Sequence, residues 1–415
     1  MNNVLILISS AFPFQKGEEF LFQETAYYDT FKKVYIIPIA ANDFSTEKSI
    51  SKDITVYRLK TVASENPVKK LAGCAMAYFG SDAIEEIRNL KESGRYSIAS
   101  LRQALVDSYK VASVKDEILG IVAEIRQKHK DDNLVLYSYW MGIHAKMATE
   151  IKKTFPEIKI VTRCHGGDLY EYRYKTNYIP FRKTIFENED TIFTISENGK
   201  EYLKETYKSK MPTIIVSRLG TNQKYERSFI SNEGGLNIVS CSYCIPLKRI
   251  ELIIEALAGI KEQGISWTHI GNGTEFEKLK QLASDTISDN VHYEFLGYVQ
   301  NSKVQELYST GKFNLFVNVS ETEGIPVSIM EAMSYGMPVI ATDVGGVSEM
   351  VEEGGNGFLL PKDFDTEQLR NYIINLLHMS SQAYTSMSEK SHEIWEDKFH
   401  AEKNYTEFIK MLKEL

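Results

Sequence analysis

Two glutamates eight positions apart, Glu323 and Glu331, carry the most chemical information in this chain of 415 residues. They stand in FNLFVNVSETEGIPVSIMEAMSYGMPVIATDVGG, residues 313–346. Phe313–Val319 reads as a buried strand ending near Ser320, and Glu321–Pro326 as a short loop. From Val327 the pattern is helical until Gly336 and Pro338 stop it and a second strand, Val339–Thr342, begins. Pro at a helix entry and Gly just past its end fit the asymmetry of helix termini. Such a helix starts at the carboxyl end of a parallel strand, where open α/β sheets bind ligands. Its free N–H groups and positive dipole end suit a phosphate. Carboxylates flanking an anion site are poor phosphate ligands but good acceptors for pairs of sugar hydroxyls. A plainer reading also accounts for the pair, with Glu331 complementing the helix dipole and Glu323 solvated.

Other groups are candidates on their own chemistry. His165 is followed by Gly166-Gly167-Asp168 at a strand end, which suits a site residue and equally a hydrogen-bonded structural histidine. Lys248, within CSYCIPLKRIELIIEAL (241–257), is either a cation for a phosphate or a solvated lysine at a helix start. Cys241 and Cys244 form a C-x-x-C without a second ligand pair, so buried packing thiols are expected. Asp363-Phe364-Asp365 has the spacing of a metal motif, but Asp365 precedes Thr366-Glu367-Gln368-Leu369 and reads as a helix N-cap. No metal site is expected.

These residues have to be held by α/β units. Short β-rich apolar runs (Val4–Ser9, Val34–Ala40, Leu134–Tyr139, Lys159–Thr162, Thr191–Ile195, Thr213–Ser217) alternate with helical patterns such as Asp116–Gln127 and Gly142–Thr154. That alternation predicts βαβ units and a parallel sheet. After the polar stretch Ser228–Gly235 the rhythm restarts, with strands at Leu236–Ser240 and Ile265–Ile270 around a helix over Lys248–Glu262. Two α/β halves joined near residue 230 are therefore expected. His392–Leu415 reads as one closing helix with Trp395, Phe399, Tyr405, Phe408 and Leu412 on roughly one face, packing back on the first half. Ser64–Val114 is helical and weakly patterned, an elaboration of that half.

Composition narrows the function. Hydrophobic residues make up 43% and charged residues 25%, an ordinary globular balance that excludes disorder and coiled coil. A net charge of -8 offers no general attraction for nucleic acid. Four cysteines in so long a chain are no disulfide framework, which points to the cytoplasm. Val4–Ile8 reads as a first strand rather than a signal peptide, and Leu71–Phe79 is far short of the ~20 residues of a spanning helix.

The whole stretch around the two glutamates resembles the donor-site signature, E-x7-E, of retaining GT-B glycosyltransferases of family 4. GNGTEFEKL (271–279), FLGYV (295–299), NGFLLP (356–361) and the closing aromatic helix resemble further family segments. So do FPFQKGEEF (12–20), RCHGGDLYEYR (163–173), ISENGKEYL (195–203) and SRLGT (217–221) in the first half. The resemblance implies two Rossmann-like domains facing each other across a cleft. They would be an acceptor domain over 1–228, joined by a returning helix at 396–415, and a donor domain over 229–395. Glu331 would bind ribose hydroxyls, and Glu323 hydroxyls of the transferred sugar with backbone N–H groups around Gly324 and Ile325 beside Pro326 and Val327. His165 would contact the sugar near the reacting carbon, and Gly17 would let the backbone approach the diphosphate. Gly271 and Gly273 would form the G-x-G turn, and Tyr298 the frame of the nucleobase. The family usually supplies an Arg and, five residues later, a Lys. Here Lys248 matches the Lys but Tyr243 stands at the Arg position, leaving Arg249, Lys16 or Arg218 as substitute cations.

The resemblance thus implies a metal-independent retaining glycosyltransferase that needs no cofactor and acts on a UDP- or GDP-sugar. Its acceptor would be a glycan or lipid-linked glycan, as in surface polysaccharide synthesis. Tyr243 and the sparse glycine loop also admit a catalytically weak nucleotide-sugar-binding partner, and a nucleotide-sugar epimerase of the same fold is a further alternative. A Rossmann oxidoreductase is disfavoured because no G-x-G-x-x-G follows strand one. Val68-Lys69-Lys70-Leu71 through Tyr78-Phe79 combines cations with apolar and aromatic residues, as interfacial helices and core helices both do, so peripheral contact with the inner face of a membrane is a further expectation.

Overall fold

The structure, a computed structural model, describes residues 3–14, 17–44, 49–51, 53–64, 66–207, 211–228 and 230–415. The chain divides into two compact units, one of Met1–Ser217 with Tyr405–Leu415, the other of Arg218–Asn404. Among the described residues the first unit builds a seven-stranded sheet from β1 (Asn3–Ser9), β2 (Lys33–Pro38), β3 (Ile54–Val56), β4 (Asn133–Ser138), β5 (Lys159–Cys164), β6 (Thr191–Thr194) and β7 (Thr213–Val216). Their order is β3-β2-β1-β4-β5-β6-β7 and every pairing is parallel. The second unit builds a six-stranded sheet from β8 (Leu236–Cys241), β9 (Ile265–Ile270), β10 (Val291–Gly297), β11 (Leu315–Asn318), β12 (Val339–Thr342) and β13 (Gly357–Leu360). It too is parallel, in the order β10-β9-β8-β11-β12-β13. Two parallel α/β sheets of this kind are what the resemblance implies. Each sheet therefore grows outward from its first strand and then returns to that strand's other side. The strand order reverses between β1 and β4 and again between β8 and β11, and such switch points open a crevice beyond the strand ends.

Continuous β-branched runs form these strands because both faces are covered. In β1, Val4, Ile6 and Ile8 join Val111, Val114 and Ile118 of the helix Ile98–Lys128. Leu5 and Leu7 join the opposite layer, which includes Phe408, Ile409 and Leu412 from the helix Ala401–Lys413. That layer also buries an arginine. Arg163, on β5, is fully buried and its guanidinium lies 3.9 Å under the ring of Phe408. It donates to Glu24 at 2.6 Å and to the Ser217 hydroxyl at 2.7 Å. Glu24 also accepts from the Tyr28 hydroxyl at 2.7 Å, and burial raises its carboxyl above the ordinary range against the opposing pull of Arg163.

Several elements depart from the sequence reading. The closing segment is two helices, Ser381–Lys398 and Ala401–Lys413, because Thr221 inserts a bridge beside His400. The Thr221 N–H donates to the Phe399 carbonyl at 2.9 Å, and the Ala401 N–H donates to the Thr221 carbonyl at 3.1 Å. Trp395 and Phe399 therefore lie in the second unit, and Tyr405, Phe408 and Leu412 in the first. The helix expected over Lys248–Glu262 runs only from Ile250 to Ala258, since Arg249 takes a left-handed φ of 48° ahead of it. Ser64–Val114 resolves into Pro67–Tyr78, Ser81–Glu92 and the start of Ile98–Lys128. The short strands β3 and β13 carry too little periodicity to be read from sequence. Asp365 does cap the helix Thr366–Leu377, accepting from the Glu367 N–H at 2.8 Å. All four cysteines are free thiols.

Removing one partner of a fully buried ion pair leaves an uncompensated charge, at a cost of about 3–5 kcal/mol. Glu24→Ala should therefore lower the urea midpoint of unfolding by an amount in that range after conversion with the m-value. An unchanged midpoint would show that Arg163 is satisfied without it.

Candidate active site

In the second unit the candidate residues gather at the ends of the two central strands. After β8 the chain makes a 3-10 turn, Pro246–Lys248, and after β11 it passes through Glu321–Pro326. The Glu321 N–H donates to the Leu247 carbonyl at 2.9 Å, joining the two loops. Lys248 Nζ donates to Glu323 Oε1 at 2.6 Å, and the Asn318 amide approaches the same oxygen at 3.5 Å. Both partners are largely buried, with side-chain exposures of 18% and 11%.

Two glycines fix this loop. Gly345 has φ 60°, and a Cβ there would stand 2.0 Å from the Glu323 carbonyl oxygen. The Gly346 N–H donates to the Gly324 carbonyl at 2.7 Å, while a side chain on it would strike Ile325. Ile325 and Pro326 are buried, Gly324 and Val327 half-buried, and Val327 opens the helix Val327–Ser334. Within that helix Glu331 is buried and accepts from the Asn301 amide at 2.6 Å. Burial pushes its carboxyl up to about 7, against the lowering effect of the Asn301 and Gln305 amides.

The remaining candidates divide between a rim and a frame. A Cβ on Gly271 would meet the Ser242 carbonyl oxygen at 1.8 Å, and one on Gly273 the Cys244 carbonyl oxygen at 2.4 Å. Both glycines thus let the loop after β9 press against the residues on either side of Tyr243. The Gly271 N–H also donates to the Gly297 carbonyl at 2.9 Å, next to Tyr298. Tyr243 and Tyr298 are the exposed aromatics of this rim, at 70% and 69%. Arg249 belongs to the frame: its guanidinium donates to the carbonyls of Val319 at 2.8 Å, Lys362 at 2.7 Å and Ser320 at 3.4 Å. Arg218 pairs with Glu349 at 2.7 Å. Lys16 lies outside the described residues.

In the first unit the polar groups again collect at the strand ends beside the switch point. Gly17 has φ 114°, and among the described residues nothing lies within 4 Å of where a Cβ would stand, so it is the backbone angle that favours glycine there. Its neighbour Glu18 does more. That buried carboxylate accepts from the main-chain N–H groups of Ser10 (2.8 Å), Ala11 (2.9 Å) and Phe12 (2.8 Å) and from Trp140 Nε1 (2.8 Å), tying the β1 loop to the β4 loop. The Ser10 hydroxyl and His144 Nε2 are 2.8 Å apart.

His165 is packed between the rings of Tyr139 and Trp140, with centroids 4.6 and 4.7 Å away. Its main-chain N–H donates to Asp168 Oδ1 at 2.6 Å, while both ring nitrogens are buried without a hydrogen-bond partner among the described residues. A buried polar ring left open in this way is costly unless a ligand supplies partners. Burial, reinforced by Arg163, holds the imidazole well below its usual range. Asp168 also accepts from the Met141 N–H, and burial raises its carboxyl to about 6. Sequence reasoning passed over Glu18, Trp140 and His144. The only local sign was an acidic residue directly after a loop glycine, whose partners lie as far as Trp140. Among the described residues no group of three or more His, Cys, Asp or Glu side chains is arranged to hold a metal ion.

Residues 222–393 match the family described as Glycosyl transferases group 1. The chain is 25% identical over 324 residues to N-acetyl-alpha-D-glucosaminyl L-malate synthase of Bacillus anthracis, covering 74% of this chain and 81% of that protein. It is 26% identical over 247 residues to the O-antigen biosynthesis glycosyltransferase WbnH of Escherichia coli, covering 58% and 68%. Among solved structures it resembles Anabaena HepE in complex with UDP and glucose, with a TM-score of 0.66 at 17% identity over the whole of both chains.

Three buried imidazoles give this architecture a pH signature. Burial depresses His165 well below its ordinary value, and takes His144 to about 3 and His269 to about 4. In the unfolded chain each titrates near 6.5, so their contribution to stability is full above about 6.5 and is lost as pH falls toward the folded values. Nitrogen-detected NMR should find all three rings neutral from about pH 8 down to 5.5. An imidazolium signal for His165 at pH 6 would refute its apolar enclosure.

Proposed function

Taking as premise the glycosyl transferases group 1 family, which residues 222–393 match, we propose a retaining, metal-independent transfer of a sugar from a nucleotide sugar to an acceptor hydroxyl. The observation that carries this reading is the Lys248–Glu323 pair at the switch point of the second sheet, followed at once by the helix that holds Glu331. The diphosphate takes Lys248 as its cation together with the N–H groups of that helix start, and Glu331 accepts from the ribose hydroxyls. Glu323, released from Lys248, accepts from hydroxyls of the transferred sugar. In the first unit we assign the open ring nitrogens of His165 to the same sugar. Gly17 we assign to the diphosphate loop, and Tyr298 and the Gly271–Gly273 turn to the nucleobase side.

In the reaction the bond from the anomeric carbon to the diphosphate oxygen breaks and the acceptor oxygen bonds to that carbon on the same face. The acceptor proton passes to the departing diphosphate. Negative charge therefore grows on the leaving group, where a fixed cation stabilises the transition state more than the ground state. A UDP-sugar is the first donor to test, since the HepE relative is solved with UDP. The naming of WbnH for O-antigen biosynthesis supports a glycan or lipid-linked glycan acceptor in surface polysaccharide synthesis. One observation favours a second reading, a weakly catalytic nucleotide-sugar binder: of the substitute cations among the described residues, Arg249 and Arg218 are both engaged elsewhere.

Thermal shift and product NMR with UDP- and GDP-sugars test the proposal directly. An α-linked product from an α-linked donor, formed in EDTA, is expected; inversion, or activity restored only by a divalent metal, would overturn the mechanism. Lys248→Ala should lower kcat by about 10²–10³. Tyr243→Arg should tighten nucleoside diphosphate binding if a cation is missing. Turnover in that variant alone would favour the weak binder.

Glu331 generates a separate pH prediction. Ribose hydroxyls donate to the carboxylate, whereas the unliganded group is half protonated near pH 7. Nucleotide affinity should fall as pH drops below about 7, by up to about tenfold per unit, with proton release on binding. Glu331→Gln should flatten that dependence, and an equally steep profile in the variant would remove the ribose assignment. For folding the sign is opposite: the raised pKa favours the native state at low pH, and that contribution is lost as pH rises through about 7.

A further inference from the structure

The helix Pro67–Tyr78 is built unlike any other in the first unit. The run PVKKLAGCAMAYFG, residues 67–80, contains two lysines, no acidic residue and otherwise apolar or small side chains. Yet among its described residues none is buried. Leu71, Met76 and Phe79 are 74%, 77% and 79% exposed, and Ile98, at the start of the neighbouring helix Ile98–Lys128, is 87% exposed. The helix is nevertheless firmly seated. Asn66 caps it by accepting from the Val68 and Lys69 N–H groups, Pro67 occupies its first turn, and Gly73 lies against the ring of Tyr109 with no room for a side chain. The Tyr109 hydroxyl in turn accepts from the Ser64 N–H at 3.0 Å.

Between the two helices runs an apolar groove of about 550 Å³, floored by Leu101, Leu105 and Val106, with Lys70 and Arg102 among its lining residues. Both cations act on the Cys74 thiol in the groove wall, opposing the burial that raises it, so their charges bear on the groove itself. Apolar side chains projecting into solvent beside cations, with no carboxylate on the same helix, complement an anionic interface. A globular core would have buried Leu71 and Phe79 instead.

We propose that the helix Pro67–Tyr78 docks the first unit onto an anionic phospholipid bilayer. Leu71, Met76 and Phe79 enter the acyl boundary, Lys69, Lys70 and Arg102 meet lipid phosphates, and the groove receives one hydrocarbon chain. This goes beyond the donor reading and stands without it, because its readout is adsorption rather than turnover. The full chain should float with vesicles of phosphatidylcholine and phosphatidylglycerol but not with phosphatidylcholine alone. Leu71→Glu/Phe79→Glu should weaken vesicle binding by about tenfold or more, and Lys70→Glu/Arg102→Glu should do the same and abolish its salt sensitivity. Melting curves of both variants should match wild type, since the apolar pair projects into solvent; if either melts early, Met76→Glu serves as the replacement. Absence of flotation with anionic vesicles, or equal flotation of the variants, would overturn the proposal. So would a dimer, seen by light scattering, that the same substitutions dissolve while no vesicle binding occurs.

Discussion

The central strands of both sheets are covered on their two faces, and this constraint governs where chemistry can reside. Parallel strands enclosed by helices must present apolar side chains in both directions, so along Val4–Ile8 no position remains for an exposed polar group. Polar function is displaced to the carboxyl ends of the strands, where loops leave the covered layers. Those loops can be irregular only if their main-chain groups are satisfied locally. Glu18 does this for three consecutive N–H groups after β1, and the Gly346-to-Gly324 hydrogen bond does it for the loop after β11. The candidate site is thus a consequence of sheet topology, stiffened by hydrogen bonds to the backbone.

The second unit adds an electrostatic consequence. Lys248 and Glu323 satisfy each other at 2.6 Å in a setting that excludes most water. A phosphate that takes Lys248 must displace a carboxylate, and the freed carboxylate then needs donors of its own. A ligand that carries both a diphosphate and sugar hydroxyls meets the two demands together, whereas a bare phosphate meets only one. On the proposed reading of the site, the pairing is therefore a physical basis for preferring a nucleotide sugar over its fragments.

How much of this could be read in the sequence depended on how local each cause was. Glu323 and Glu331 were legible because a strand, a proline-led helix start and a glycine stop lie within 30 or so positions of one another and follow general capping rules. Continuous apolar runs likewise gave the long strands. In the sequence Arg249 is a candidate cation for the diphosphate, and only its contacts with Val319, Ser320 and Lys362, about 70 to 110 positions away, reveal a structural tie. Glu18 was hidden for the same reason. The break at Phe399–His400 depends on Thr221, nearly 180 residues earlier, so no periodicity within the closing segment could announce it.

Arg163 shows the same principle acting through packing. On β5 it interrupts an apolar strand, which by composition alone would look like a defect. Its guanidinium instead gathers Glu24 near the start of the chain, Ser217 at the end of the first unit's main segment and Phe408 in the returning helix. Two residues further along stands His165, whose neutral ring owes its low pKa first to burial and then to that same positive charge. One buried cation therefore serves two ends. It closes the layer formed by distant chain segments, and it disfavours protonation of the nearby imidazole.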